Sequence, residues 1–294
     1  MRRARAARRH PDTLRRPDPV TIRDSIDPTP LPDPAVSNGA PVRESILSMR
    51  GITKRFGAVH ALDGVDFDVD AGEVVALVGD NGAGKSTLIK VLSGVHPADS
   101  GAILFRGREV LIPTPAESQA LGIATVFQEL SLCENLDVVS NLYLGRELGR
   151  GALDEVEMEK RSWELLRRLS AKLPSVRVPV ASLSGGQRQT VAIARSLIGE
   201  PSVVVLDEPT AALGVAQTAE VLNLIEQLRD QGLGVVLISH NMADVQAVAD
   251  RVVVLRLGRN NGDFRIPDVG YEDIIAAITG ATDNSVSRRS AGRA

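Results

Sequence analysis

Apolar residues in this chain collect in short continuous runs that alternate with stretches of helical spacing. The runs Val74-Val75-Ala76-Leu77-Val78 and Val203-Val204-Val205-Leu206, with residues 123–127, 235–239 and 251–257, hold few polar positions. Such runs predict strands buried on both faces of a sheet. Residues 88–92, 186–198, 215–230, 242–250 and 271–279 instead space their apolar side chains three and four apart, which predicts helices. Strands alternating with helices of about ten to sixteen residues predict an α/β fold with a mainly parallel sheet covered on both faces. Two shorter strand-like runs, residues 46–50 and 65–69, are set off by glycine and charged turns and predict an antiparallel β flap leading into that core. Residues 137–172 repeat Val, Leu, Met and Trp163 at helical spacing with charges between them, which predicts an inserted α-helical subdomain over residues 129–185.

Composition narrows the class. At 294 residues and 43% apolar, the chain can bury a substantial core. Residues 1–44 differ: they hold half of the 16 prolines and open with Arg2-Arg3-Ala4-Arg5-Ala6-Ala7-Arg8-Arg9. They are expected to be a disordered Arg/Pro-rich extension. Contact with anionic lipid headgroups and an upstream start-codon choice are the alternative accounts. The arginine pairs are not followed by an apolar segment, so no export signal is expected. A disordered tail is expected over residues 281–294, leaving 45–280 as the folded domain. No apolar stretch approaches the roughly eighteen residues of a membrane span, so a transport role would need another chain to cross the bilayer. The single cysteine, Cys133, excludes an internal disulfide framework and is expected to be a small buried or loop thiol. A net charge of −3 gives no case for bulk nucleic-acid binding.

The chemistry begins where the run 74–78 ends. Gly79-Asp80-Asn81-Gly82-Ala83-Gly84-Lys85-Ser86-Thr87 stands between a predicted strand and a predicted helix, the order of a phosphate (P-) loop. Glycines let successive N–H groups turn inward around a phosphate, and the helix adds its positive dipole end at the same point. Lys85 then reaches the β- and γ-phosphates, and the Ser86 hydroxyl can ligate Mg²⁺. Asp207 closes a second buried run. A carboxylate there is costly unless it meets a cation, and beside a phosphate loop that cation is Mg²⁺ held through its water shell. Glu208 is one step further, and its carboxylate can accept a proton from an attacking water. The expected core is that of a P-loop NTPase.

Leu183-Ser184-Gly185-Gly186-Gln187-Arg188-Gln189 before a predicted helix, and Asp207-Glu208-Pro209-Thr210 after the 203–206 run, complete a pattern that closely resembles the ATP-binding cassette (ABC) family of transport ATPases. The resemblance spans residues 45–280. The wording of residues 79–87, with Leu92-Ser93-Gly94-Val95, Phe127-Gln128-Glu129-Leu130 and Glu208-Pro209-Thr210-Ala211-Ala212-Leu213, is most similar to cassettes of bacterial sugar importers. The resemblance implies ATP as substrate, with Glu208 polarising the attacking water. It implies that Gln128 touches the Mg²⁺ shell and that water, and that His240 bonds the γ-phosphate and holds Glu208. Phe56 corresponds to the aromatic that stacks on adenine, core packing being the alternative for it. It further implies that Ser184, Gly185, Gly186 and Gln187 cap the ATP held by a second cassette, so a homodimer with two composite sites is expected and a heterodimer is the alternative. Residues 128–135 are the candidate coupling surface for transmembrane permease subunits, which would in turn engage an extracytoplasmic solute-binding protein. The location implied is the cytoplasmic face of the plasma membrane, peripheral.

One departure stands out. The family often reads Ser-Ala-Leu-Asp after Glu-Pro-Thr, whereas this chain reads Ala211-Ala212-Leu213-Gly214, without the carboxylate that commonly crosses the dimer seam. Active sites with altered coupling are therefore expected. The leading expectation is an importer ATPase. A non-transport ABC ATPase of translation or DNA maintenance is the alternative, but the chain shows neither a second cassette nor a long coiled coil between phosphate loop and signature. A regulatory subunit of low turnover is a third reading, opposed by the presence of Lys85, Ser86, Gln128, Asp207, Glu208 and His240 together.

Overall fold

The computed structural model of the chain describes residues 45–149 and 152–281. The extension expected at 1–44, and the tail from 282 on, lie outside the described residues. The chain opens with β1 (Ser45–Phe56), β2 (Val59–Asp70), β3 (Val74–Val78), α1 (Lys85–Leu92), β4 (Ser100–Phe105) and β5 (Arg108–Val110). It continues through α2 (Pro115–Ala120), β6 (Ile123–Val126), α3 (Val138–Tyr143), α4 (Glu155–Arg168) and α5 (Gly185–Leu197). The last part is β7 (Val203–Asp207), α6 (Val215–Asp230), β8 (Gly234–Ile238), α7 (Met242–Val248), β9 (Arg251–Arg256), β10 (Arg259–Arg265) and α8 (Tyr271–Thr279).

Among the described residues the strands form two sheets. One is antiparallel, in the order β2-β1-β4-β5. The other runs β10-β9-β3-β8-β7-β6 and is parallel except for the β9–β10 pair. Strand side chains alternate between faces, so the buried runs feed two cores. Val74, Ala76 and Val78 enter one core with Val204, Leu206, Val235 and Leu237, beneath α3 to α8. Val75 and Leu77 enter the other with Val203, Val205, Val236 and Ile238, which meet α1 and the antiparallel sheet. Burying each such valine or leucine contributes roughly 1.5–3 kcal/mol, which is why uninterrupted apolar runs were needed.

The predicted parallel sheet and all five predicted helices are present, with ends shifted by a few residues. The flap differs. Its first two strands are twelve residues each, and irregular pairing along β1 breaks their apolar pattern into shorter runs. It is also completed by β4 and β5, which follow α1 in sequence. Ser100-Gly101 opens β4 with polar, small residues that hide its strand character. The edge strand β10 carries Arg259-Asn260-Asn261-Gly262-Asp263, a charged edge without apolar alternation. The helical block resolves into α3 and α4 rather than continuous helix.

Arg251, 9% exposed, ties both sheets together at the start of β9. Its guanidinium donates to Glu73 at 2.9 Å, to Asp263 at 2.9 Å, and to the carbonyl and carboxylate of Asp68 at 2.8 and 3.2 Å. Burial alone would lower its pKa, but Glu73, Asp263 and Asp68 outweigh it and hold the arginine above its ordinary value. Arg251→Met leaves Glu73, 3% exposed, buried without its cation. We expect it to lose about 3–5 kcal/mol of stability in urea unfolding; a loss below about 1 kcal/mol would mean the network behaves as a surface pair.

Candidate active site

Parallel strands place their C-terminal ends along one edge, where ligands of open α/β sheets bind. Here β3 delivers residues 79–87, β7 delivers Asp207 and Glu208, β8 delivers His240, and β6 delivers Gln128. Because β8 lies between β3 and β7, three separate stretches of sequence converge beside the phosphate loop.

The loop is shaped by close backbone approaches. Gly84, at φ 108, leads into α1, which starts without a side-chain cap and so leaves its first N–H groups to face the loop. A β-carbon at Gly84 would lie 2.7 Å from the Ala61 carbonyl oxygen and 2.9 Å from Leu62 Cδ2. A β-carbon at Gly258, in the β9–β10 turn at φ 78, would lie 2.9 Å from the same carbonyl oxygen. The Gly258 N–H donates to the Ala83 carbonyl at 3.0 Å, and its carbonyl accepts from the Asp63 N–H at 2.8 Å. A glycine in a hairpin turn was the only sequence signal for this support, and it gave no hint that the turn reaches the phosphate loop.

Lys85 curls back over the loop, its Nζ donating to the carbonyls of Gly79 at 2.6 Å and Asp80 at 3.1 Å. Burial lowers its pKa, while Glu208, Asp80 and Asp207 act in the opposite direction. Asp207 is pushed above the usual carboxylate range, first by burial and then by Glu208, with Lys85 and Lys90 opposing. The local field at Asp207 therefore favours further positive charge. The available donors, the Asp207 carboxylate, the Ser86 hydroxyl and the Gln128 amide, are hard oxygens of the kind Mg²⁺ takes beside phosphates.

Glu208 is a left-handed residue, φ 50, whose N–H donates to the Ile238 carbonyl at 3.0 Å. That bond ties it to the end of β8, from which His240 projects. The His240 Nδ1 lies 2.7 Å from Glu208 Oε2, with the imidazole 76% exposed and the carboxylate 16%. Phe56, at the end of β1, is 45% exposed, which excludes core packing. Its ring meets His96 edge-on at 5.3 Å between centroids, and Lys54 Nζ is 5.6 Å from its centroid.

The signature residues belong to a different element. Ser184 caps α5, accepting from the Gln187 N–H at 3.2 Å, and Gln187 Oε1 accepts from the Ser184 N–H at 2.9 Å. Gln187 Nε2 donates to the Lys172 carbonyl at 2.9 Å. The amide of Gln187 is thus engaged at both ends inside its own chain, while Gly185, half-buried, and Gly186, buried beside Gln217, form the first turn of the helix. Beyond Gln128, the segment 133–137 is organised by Asn141, fully buried, which accepts from the Cys133 N–H at 2.7 Å and donates to the carbonyls of Cys133 and Asp137. Sequence reading missed Asn141, a polar residue within an apolar helical pattern.

The fold and this constellation define a phosphate-loop nucleoside triphosphatase. Residues 62–211 match the model of the ABC transporter family. The xylose/arabinose import ATP-binding protein XylG of Sulfolobus acidocaldarius is 42% identical over 235 residues, covering 80% of this chain and 94% of that protein. The fructose import ATP-binding protein FrcA of Rhizobium meliloti is 43% identical over 250 residues, covering 82% and 96%. Among solved structures, the dimeric post-hydrolysis state of the ATP-binding cassette MJ0796 bound to ADP and Pi superposes with a TM-score of 0.64 at 25% identity, covering 76% of this chain and 100% of that one. The chain belongs to the ABC transporter family and is an ATP-binding, ATP-hydrolysing cassette of it.

Proposed function

We propose that the chain is the ATPase subunit of an importer, energising the uptake of a small solute, a monosaccharide, through separate transmembrane permease subunits at the cytoplasmic face of the membrane. The observation that carries this reading is the convergence of Lys85, Asp207, Glu208 and His240 on one sheet edge, in a chain whose relatives XylG and FrcA are named as sugar import proteins. No helix among the described residues is long and apolar enough to cross a membrane. A groove of about 850 Å³ beside Gln128, lined by Phe127, Glu129, Leu130, Arg146 and Arg195, is the surface proposed to receive the permease, which in turn engages a solute-binding protein. Residues 45–280 constitute the ATP-binding domain, with 129–185 its helical subdomain.

Residues 79–87 and the start of α1 cradle the phosphates of ATP, and Lys85 exchanges its carbonyl partners for the β- and γ-phosphate oxygens. Ser86, Asp207 and Gln128 would hold Mg²⁺, which would supply neutralisation of phosphate charge. Glu208 accepts the proton of the attacking water as in-line attack on the γ-phosphate proceeds, and the His240 imidazole keeps its carboxylate aimed. Phe56 offers its exposed face to the adenine. Ser184, Gly185 and Gly186 serve the ATP of a second copy, so two chains complete two sites. Gln187 acts there by shaping the cap rather than through a free amide.

Copurification from membranes solubilised in mild detergent tests the importer reading. A polytopic permease is the expected partner; ribosomal or DNA-associated partners would replace it with the non-transport reading. The loop support adds a second check. Gly258→Ala puts a β-carbon into a left-handed residue pressed on Ala61, a strain of about 1–3 kcal/mol. We expect ATP affinity to fall about tenfold in titration with a fluorescent ATP analogue. Unchanged affinity would mean that the turn does not shape the phosphate loop.

A further inference from the structure

Asp244 is a buried carboxylate that the reading above does not use. It lies in the first turn of α7 and is 5% exposed. Its Oδ2 accepts from the Thr210 hydroxyl at 2.6 Å, and its Oδ1 accepts from Asn241 Nδ2 at 2.9 Å. Thr210, 9% exposed, stands two residues after Glu208, and Asn241 directly follows His240. One carboxylate therefore joins the loop that carries Glu208 to the loop that carries His240. A buried carboxylate is expensive unless its oxygens are bonded, and here each oxygen is committed to one of the two loops.

Both loops need such a restraint. Glu208 occupies a left-handed conformation that persists only when its surroundings impose it. The His240 imidazole is mostly exposed, so packing does little to fix it, and its 2.7 Å contact with Glu208 depends on where the two loops stand. Asn241 is fixed twice more, its N–H donating to Ser239 Oγ at 3.0 Å and its Oδ1 accepting from the Ala243 N–H at 3.1 Å. Motion of Asp244 would therefore be transmitted to the residue adjoining His240.

We propose that Asp244, acting with Thr210, is a positioning residue for ATP hydrolysis, setting the separation of the two loops so that His240 meets Glu208. This rests on the roles assigned above to those two residues. Misplacing a reacting group by about 1 Å can cost on the order of 10²-fold in rate, so a clamp that touches no substrate can still govern turnover.

The test is steady-state Mg-ATP hydrolysis by the full-length chain and its Asp244→Ala, Thr210→Val, Thr210→Ser, His240→Ala and His240→Ala/Asp244→Ala variants, with affinity measured by a fluorescent ATP analogue. Asp244→Ala and Thr210→Val should lower kcat by about 10- to 100-fold, with KM and affinity within about twofold of the parent. Thr210→Ser, which keeps the hydroxyl, should recover most of the rate lost in Thr210→Val. In the double variant, Asp244→Ala should slow His240→Ala by less than about threefold, because both changes break one chain of contacts. Multiplicative losses in the double variant, or full activity in Thr210→Val, overturn the proposal. Thr210→Val is near-isosteric, so it decides the matter even where Asp244→Ala does not fold. Full activity in His240→Ala would instead overturn the underlying assignment of His240 to Glu208.

Discussion

Glu208→Gln should slow ATP turnover by about 10²- to 10⁴-fold while sparing ATP binding. Glutamine keeps the size of the side chain and can still bond the His240 imidazole, so the 2.7 Å contact and the strained backbone at φ 50 both have reason to persist. What is lost is the ability to take a proton. Asp207 is no substitute, because its oxygens are assigned to Mg²⁺. Turnover within about threefold of the parent would remove Glu208 from the role of base. The same variant reports on assembly: saturated with Mg-ATP, it should sediment as a dimer, with each Ser184 to Gly186 turn over the other chain's phosphate loop. A monomer under those conditions would leave the composite sites without support. Gly214 bears on the same seam. It sits at an ordinary φ of −75 with open space where a β-carbon would go, so the turn itself does not require glycine there.

Lys85→Ala should act one step earlier, on binding itself. The ammonium is the positive side chain that bridges the loop carbonyls of Gly79 and Asp80, and it opposes the charge of Asp207 and Glu208. A charge-assisted bond to a buried or half-buried anion contributes about 1.5–3 kcal/mol, so losing the contact to the phosphates should weaken ATP affinity by about 10²-fold. Burial lowers the pKa of Lys85, so the folded chain already holds this charge against a desolvation cost. Its removal should therefore leave the nucleotide-free fold intact, as circular dichroism would show. Titration with a fluorescent ATP analogue separates the two variants: Glu208→Gln binds and turns over slowly, whereas Lys85→Ala binds poorly. Undiminished affinity in Lys85→Ala would place the phosphates elsewhere.

The candidate site was legible in the sequence wherever a functional residue directly follows a buried strand. Asp207, Glu208 and His240 are of that kind: a run of valines and leucines ends, and the residues at its end must emerge at the sheet edge, whereas Lys85 lies beyond the loop, at the start of α1. Phe56 was only half legible. An aromatic at a strand end suits either a core or a platform, and its 45% exposure is a property of the surrounding fold. Gln187 lies in the signature and is expected there as a ligand residue, yet its amide closes the α5 cap and holds Lys172.

The sequence alone determined the strand–loop–helix order around residue 79, the alternation that makes the sheet mainly parallel, and the residue types available for phosphate chemistry. These depend on neighbours within a few positions, which backbone geometry and burial relate directly. Tertiary structure decided which distant segments support the site. The Asp63 to Gly258 and Gly258 to Ala83 bonds, the Thr210 to Asp244 bond and the Arg251 network join residues that no local pattern connects. Their partners are chosen by the strand order, which sets β8 between β3 and β7 and brings the β9–β10 turn against the phosphate loop. Long-range pairing of this kind is imposed by packing two cores around one sheet, and it becomes visible only once those cores have closed.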